Sequence, residues 1–222
     1  MELSSQIEDY LKSIYQLQTQ HPQVSTTALA ERLGISAPTA SGMMRKLAEL
    51  GLVEHQPYKG VHLTAEGEKL ALGVLRAHRL SETYLVRVLG FSWDEAHVEA
   101  ERLEHALSPK LVDRLEEALD YPQTDPHGHP IPTRDGQVPC CEGVPLSRLE
   151  PGDGGVILQI WDDSPELLRY LGELGLYPQA QIAVLETAPF RGPIRVQVGE
   201  AVRILGREVA EHVIVQVGLE VE

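Results

Sequence analysis

"STTALAERLGISAPTASGMMRKLAELGLVEHQPYKGVHLTAEG", residues 25–67, contains a complete small architecture. Residues 26–33 read as a short helix with Ala28, Leu29 and Leu33 turned inward. Gly34-Ile35-Ser36 makes a tight turn, and Ser36 caps a second helix with Pro38 in its first turn. That helix runs to about residue 50, where Gly51 stops it. Residues 53–56 and 61–64 then read as two short strands around the turn Pro57-Tyr58-Lys59-Gly60. Helix, three-residue turn, helix and β-wing describe a winged helix-turn-helix, whose second helix lies in a DNA groove. This places Thr27, Ser36, Ala37, Pro38, Thr39 and Ser41 toward the groove, with Arg45, Lys46 and the wing residue Lys59 near phosphates. Small hydroxyl residues and proline can meet thymine methyls and phosphates, but they carry less sequence information than arginine or glutamine. Shape and dimer spacing are therefore expected to supply much of the specificity.

The net charge of −14 argues against a polyanionic partner until its distribution is considered. Residues 1–80 hold eight Lys/Arg and eight Asp/Glu, so the whole deficit lies after them. Phosphate binding depends on local charge, and the N-terminal part remains eligible.

Upstream, Ser5 followed by Glu8 is a capping-box pattern. Ile7, Leu11 and Ile14, flanked by Tyr10 and Tyr15, then form an apolar stripe at helical spacing, with Asp9 on the opposite side. Downstream, a long helix is expected over 65–89, ended by Gly90 and carrying His78 and Glu82 one turn apart. The stretch "HVEAERLEHAL", residues 97–107, follows. Continued as one helix at about 100° per residue, it brings His97, Glu101, Glu104 and His105 within one arc of roughly 100°, while Glu99 points elsewhere. Such an arc serves either as a solvated acidic face or as a set of metal ligands. A break near Ser108-Pro109 separates it from another helix.

The run 122–152 contains seven prolines and reads as a linker, with His127 and His129 inside it. Beyond it, "GVILQI", "AQIAVLE", "IRVQVG", "AVRIL" and "VIVQVGLEVE" alternate as short strands, interrupted by one helix, "SPELLRYLGELG". They make a small all-β barrel of roughly seventy residues, SH3-like in size. No run of 18 apolar residues occurs and the start lacks a basic head and apolar core, so neither a transmembrane helix nor a secretory signal is expected. The adjacent Cys140 and Cys141 form no spaced framework, which fits a reducing, cytoplasmic setting.

Five ordered motifs, "EDYLKSIYQL", "ISAPTASGMMRKLAELGLV", "RAHRLSE", "HVEAERLEH" and "DPHGHPIP", resemble the diphtheria toxin repressor and manganese transport regulator family of metal-dependent bacterial regulators. "ELLRYLGELGL" and the strands after it look like the SH3-like domain of its longer members. The resemblance implies a mainly α N-terminal part, made of the winged helix-turn-helix and a helical dimerisation domain, followed by the β barrel. The divisions are 1–72 for DNA binding, 73–139 for dimerisation and metal binding, 140–150 as linker and 151–222 for the SH3-like domain. It also implies roles. Asp9, Glu101, Glu104 and His105 match the primary metal site, and His78, Glu82 and His97 match the ancillary one. In longer relatives the SH3-like domain completes the ancillary site with two oxygen donors, for which Asp163 and Glu166 are the candidates here.

Iron-responsive members carry a methionine and a cysteine where this chain has Asp9 and Glu101. Hard oxygen donors with one imidazole suit Mn²⁺ and accept Fe²⁺. Short manganese regulators have a second acidic residue one turn after the aspartate, where this chain has Lys12. The resemblance therefore implies a cytoplasmic homodimer that binds a palindromic operator in double-stranded DNA and represses metal-uptake genes. Mn²⁺, or Fe²⁺, would be co-repressor, with no membrane partner and no small-molecule substrate. Two other classes are weighed against it. "ERLEH" approaches the H-x-x-E-H signature of a metallohydrolase, but its first position is Glu101 and no nucleophile is paired with a base, so an enzyme is not expected. A winged-helix regulator sensing an organic ligand would instead leave the carboxylates solvated and bind DNA without metal.

Overall fold

The computed structural model describes residues 4–19, 22–56, 60–139, 142–161 and 164–218. Lys59, Asp163, Cys140 and Cys141 lie outside the described residues. Among the described residues, no helix is long and apolar enough to cross a membrane. The chain divides into two compact units.

The first unit comprises Met1–His78, Glu104–Leu107 and Pro132–Gln137. Helix α1 (Ser5–Gln18) buries Ile7, Tyr10, Leu11 and Ile14, as its stripe predicts. Its N-cap is Ser4, which makes no side-chain cap bond. The expected Ser5–Glu8 capping box is not formed, because Ser5 is already inside the helix, and Glu8 Oε2 accepts a hydrogen bond from His105 Nδ1 at 2.6 Å. Helix α2 (Thr26–Leu33) is capped by Ser25 Oγ, which accepts from the Ala28 amide at 3.1 Å, and ends at Gly34 in the left-handed region. Helix α3 (Ala37–Glu49) starts with Ser36 Oγ accepting from the Thr39 amide.

Strands β1 (Val53–Gln56) and β2 (Gly60–Leu63) pair antiparallel, Val53 opposite Leu63. Thr64 is not the last strand residue. It caps helix α4 (Ala65–Arg87), its Oγ1 accepting from the Gly67 amide at 3.2 Å and donating to Gly51 O at 2.8 Å. A threonine hydroxyl serves an orphan helix amide better than a strand end does. Val24 adds a bridge to Val61, and Gly60 passes so close that a Cβ there would meet Val24 O at 2.2 Å. Leu11, Ile14, Leu29, Met44, Leu47 and Val61 form one core, so α1, the two helices of the motif and the wing are packed as a block.

The second unit comprises Arg79–Leu103, Ser108–Ile131 and Val138–Glu222. Helix α5 (Trp93–Leu103) is followed by turns at Glu104, His105 and Ala106, and helix α6 (Pro109–Ala118) begins under a Ser108 cap. The expected continuous helix over 97–107 therefore stops at Leu103. A new helix with Ser108 as N-cap and Pro109 in its first turn requires extended backbone before it.

Beyond come β3 (Val144–Pro145), β4 (Gly154–Ile160), α7 (Pro165–Glu173), β5 (Gln181–Thr187), β6 (Ile194–Val198), β7 (Ala201–Leu205), α8 (Arg207–Glu211) and β8 (Val213–Val217). The strands form a six-stranded antiparallel sheet in the order β3-β8-β4-β5-β6-β7. Trp93 of α5 enters the core of this sheet beside Leu168 and Leu171 of α7. The close approach needs Gly172, since a Cβ there would stand 2.8 Å from Tyr177 Oη and 3.1 Å from Trp93 Nε1.

The proline-rich run is not a solvated linker over its first part. Asp125, His127 and Ile131 are buried. Asp125 Oδ1 accepts from the amides of His127 and His129 at 2.8 and 2.9 Å, and the Ile160 amide donates to His127 O at 3.0 Å. Prolines favour turns, and here an aspartate supplies acceptors that hold such a turn together.

Candidate metal centre

Helix α1 presents its apolar face to the core and carries Glu8, Asp9 and Lys12 elsewhere on its circumference. The turn after α5 brings Glu104 and His105 to them. Asp9 Oδ1 lies 2.9 Å from His105 Nε2, and Glu104 Oε1 lies 3.4 Å from the same nitrogen. One donor atom from each of Asp9, Glu104 and His105 fits within 4.8 Å of the others. Two carboxylates and one imidazole converging at this spacing fit a hard divalent cation.

Glu104 is the buried member, with a side chain 0% exposed. Its Oε1 accepts from Lys12 Nζ and its Oε2 faces His78 Nδ1, each at 2.5 Å. Burial pushes the Glu104 carboxyl up, but the hydrogen bond and charge of His78, followed by those of Lys12, hold it below the ordinary carboxylate range. Glu104 is therefore ionised and ready to serve as a ligand at neutral pH. Glu8, expected from the sequence only as part of a helix cap, accepts from His105 Nδ1 at 2.6 Å. It leaves Nε2 as the nitrogen that faces Asp9 and Glu104.

Glu101 is exposed on the last turn of α5, its Oε1 3.9 Å from His97 Nε2. His78 has Glu104 as a partner, so it meets a residue expected at the primary site. Glu82 and His97, both buried, are joined by His97 Nδ1 and Glu82 Oε1 at 2.9 Å. Glu166 is exposed, with its Oε2 accepting from Ser164 Oγ at 3.1 Å.

In the second unit the structure adds residues that the sequence reading left in a linker. His127 is 1% exposed, and its Nδ1 lies 3.5 Å from Glu82 Oε1. Asp125, His127 and His129 bring donor atoms within 4.8 Å of one another, with Asp125 Oδ2 3.3 Å from His129 Nδ1. The alternating Asp-x-His-x-His spacing of 125–129 was the available signal, obscured by the prolines around it.

Of the residues expected to contact DNA, Thr27, Ser36, Ala37, Pro38, Thr39, Arg45 and Lys46 are exposed and Ser41 is half-buried. Ser36 and Thr39 hydroxyls share a 2.8 Å hydrogen bond, so the start of α3 is fixed by its own cap.

Three family models match the chain in order. They are the N-terminal DNA-binding domain of iron-dependent repressors at residues 2–61, their metal-binding and dimerisation domain at 64–133, and the FeoA domain at 144–217. The iron-dependent repressor IdeR of Mycobacterium tuberculosis is 34% identical over 227 residues, covering 97% of this chain and 98% of the relative. The transcriptional regulator MntR of Escherichia coli is 41% identical over 107 residues, covering 48% of this chain and 68% of that protein. A solved manganese-dependent transcriptional repressor in complex with manganese superposes with a TM-score of 0.86 at 44% identity, covering 94% of this chain and 98% of the other. The order of the three domains, the winged helix-turn-helix and the full-length similarity agree: this chain belongs to the iron-dependent repressor family of metal-dependent, DNA-binding transcriptional regulators.

Proposed function

We propose that this chain is a repressor of metal-uptake genes that binds a palindromic operator as a homodimer, with Mn²⁺ as co-repressor. The observation that carries this reading is the convergence of Asp9, Glu104 and His105. Asp9 sits on the helix whose opposite face packs in one core with Met44 and Leu47 of α3. Holding Asp9 against Glu104 and His105 therefore fixes α1, and through that core it fixes the helix expected in the DNA groove. A divalent cation held by Asp9, Glu104 and His105 would supply the positive charge that lets the two carboxylates stay close. Two such helices in a dimer would then be spaced for half-sites about one helical turn apart. By linkage, DNA tightens metal binding to the same degree.

The donor set favours Mn²⁺ because it offers carboxylate oxygen and imidazole without sulfur. Fe²⁺ is the alternative, as the same donors accept it and several relatives are iron-dependent repressors. Glu101 is a further ligand candidate at this site. Glu82 and His97, with His78, are proposed for a second site, to which the buried His127 adds a donor. Asp163 and Glu166 stay candidates from the resemblance alone. The carboxylates are read as ligands and not as a catalytic acid–base pair, in a cytoplasmic protein with no small-molecule substrate. The proposed contacts to DNA are Thr27, Ser36, Ala37, Pro38, Thr39 and Ser41, with Arg45, Lys46 and Lys59 at phosphates.

Fluorescence anisotropy with a palindromic promoter fragment from beside its own gene or a metal transporter tests the function. Mn²⁺, anaerobic Fe²⁺, Zn²⁺ and a chelator are compared at one salt concentration, because salt alone shifts such affinities strongly. A rise of at least tenfold in DNA affinity with Mn²⁺, lost with chelator, is expected. Metal-independent binding would overturn the reading and direct the search to an organic effector.

A further inference from the structure

Lys12 lies one turn after Asp9 on α1 and is only 8% exposed. A lysine is rarely so buried without a partner, and Lys12 Nζ stands 2.5 Å from Glu104 Oε1. That oxygen is also the one 3.4 Å from His105 Nε2, on the side of the ligand cluster. The other oxygen of Glu104 faces His78 Nδ1 at 2.5 Å. Both oxygens of this buried carboxylate are therefore engaged by side chains of the chain itself. A divalent ion held by Asp9, Glu104 and His105 must share Oε1 with an ammonium group or displace it, and the two cations repel at this distance in a weakly polar surrounding.

We propose that Lys12 is a tethered competitor for Glu104, weakening the metal site so that it fills and empties over a range of metal concentration. The ammonium neutralises the buried Glu104 carboxylate when no ion is held there. It also lowers the affinity for the ion when it returns. This inference rests on the assignment of Asp9, Glu104 and His105 as metal ligands.

The test is Mn²⁺ binding to the full chain, followed by loss of the electron paramagnetic resonance signal of free Mn²⁺ at fixed pH. Wild type, His105→Ala, Lys12→Met, Lys12→Gln and Lys12→Arg are compared. His105→Ala identifies the binding component that belongs to this cluster, and identical titrations of wild type and His105→Ala would sink the underlying assignment and not the role of Lys12. With the component identified, Lys12→Met is expected to tighten it at least fivefold, while Lys12→Arg, which keeps the charge, stays within twofold of wild type. Lys12→Gln keeps a donor to Glu104 without the charge and is expected to tighten binding in the same way, so it carries the test if the methionine variant does not fold. A smaller tightening or a weakening in the neutral variants overturns the proposal, and so does equal tightening in Lys12→Arg.

Discussion

Glu8 Oε2 and His105 Nδ1 stand 2.6 Å apart, while the other nitrogen of the same ring, Nε2, faces Asp9 Oδ1 at 2.9 Å. The Glu8 carboxylate thereby selects which nitrogen of His105 is offered to the cluster and holds the plane of the ring. Carboxylates in this position typically change metal affinity by about 10–100-fold when removed. Glu8→Ala is expected to weaken Mn²⁺ binding by about that factor and to raise the Mn²⁺ needed for DNA binding in parallel. Glu8→Gln, which can still accept the bond, is expected to fall between the two. Calorimetric titration checks both, with circular dichroism to establish that the fold is retained.

The loop holding His127 depends on one glycine. Gly128 has φ +85°, and a Cβ there would meet Leu158 O of β4 at 1.9 Å. Neither the conformation nor the space admits a side chain. Gly128→Ala is expected to destabilise the protein by at least ~2 kcal/mol, read as a lower midpoint in urea. Gly42→Ala, at a helical position with open space around it, is the control and is expected to be neutral or stabilising.

The parts of the fold legible in the sequence are those governed by local chemistry. Ser36, Pro38 and Gly51 set the bounds of α3 with residues adjacent in the chain. Along β4, β5 and β6 burial alternates largely with period two, and Ile157, Ile182 and Val196 are in the core. The misreadings arise where a distant residue outcompetes a local one. Glu8 meets His105, 97 positions away, and not the start of its own helix. The proline-rich loop is recruited by Ile160 and by the side chain of Asp125, which no composition argument detects. Helical periodicity placed Glu104 and His105 on one helix face, but the turn after Leu103 presents them instead. The residue types of the candidate cluster were readable from sequence. Glu8 as the neighbour of His105 was not, since the two meet across 97 positions and the residues beside Glu8 suggest only a helix cap.

Tyr10 illustrates a polar group with no evident local use. The residue is 3% exposed, and its hydroxyl is buried without a hydrogen-bond partner among the described residues. Burial pushes that hydroxyl further up from its already high value, so it stays neutral. Replacing an unsatisfied buried hydroxyl by hydrogen removes a desolvation cost. Tyr10→Phe is expected to raise stability by ~0.5–1 kcal/mol, seen as a higher Tm. A loss of similar size would show that the hydroxyl finds a partner in the dimer or in water.

Val88, Leu89 and Phe91 follow the end of α4 as exposed apolar residues, with Val98 of α5 and Leu111 of α6 also exposed. This density of large apolar side chains on helices suits a partner surface, and it falls inside the region matched by the dimerisation model. The double change Val88→Glu with Leu89→Glu is expected to shift the protein from dimer to monomer in light scattering after size-exclusion chromatography. Operator affinity should fall with it, because two linked half-sites are no longer engaged together. Leu185→Glu and Ile204→Glu, exposed on the C-terminal sheet, are expected to leave the dimer intact.

Asp94 and Arg169 join α5 to α7, with Arg169 Nε donating to Asp94 Oδ2 at 3.1 Å. Burial pushes the Asp94 carboxyl up, but hydrogen bonds from Ser92 and Arg169, together with the arginine charge, leave it below the ordinary value. A carboxyl depressed in the folded state adds stability that is fully present above its unfolded value, about 3.9, and is lost as pH falls through the lower folded value. Arg169 is 62% exposed, so solvent screens the pair and its contribution is ~0.5–1 kcal/mol. Asp94→Asn is therefore expected to be less stable than wild type by that amount from neutral pH down to about pH 5, with the gap closing below about pH 4. Urea midpoints measured across this range decide it. A gap that persists unchanged at the acid end would mean that packing around Asp94, and not its charge, links the two helices.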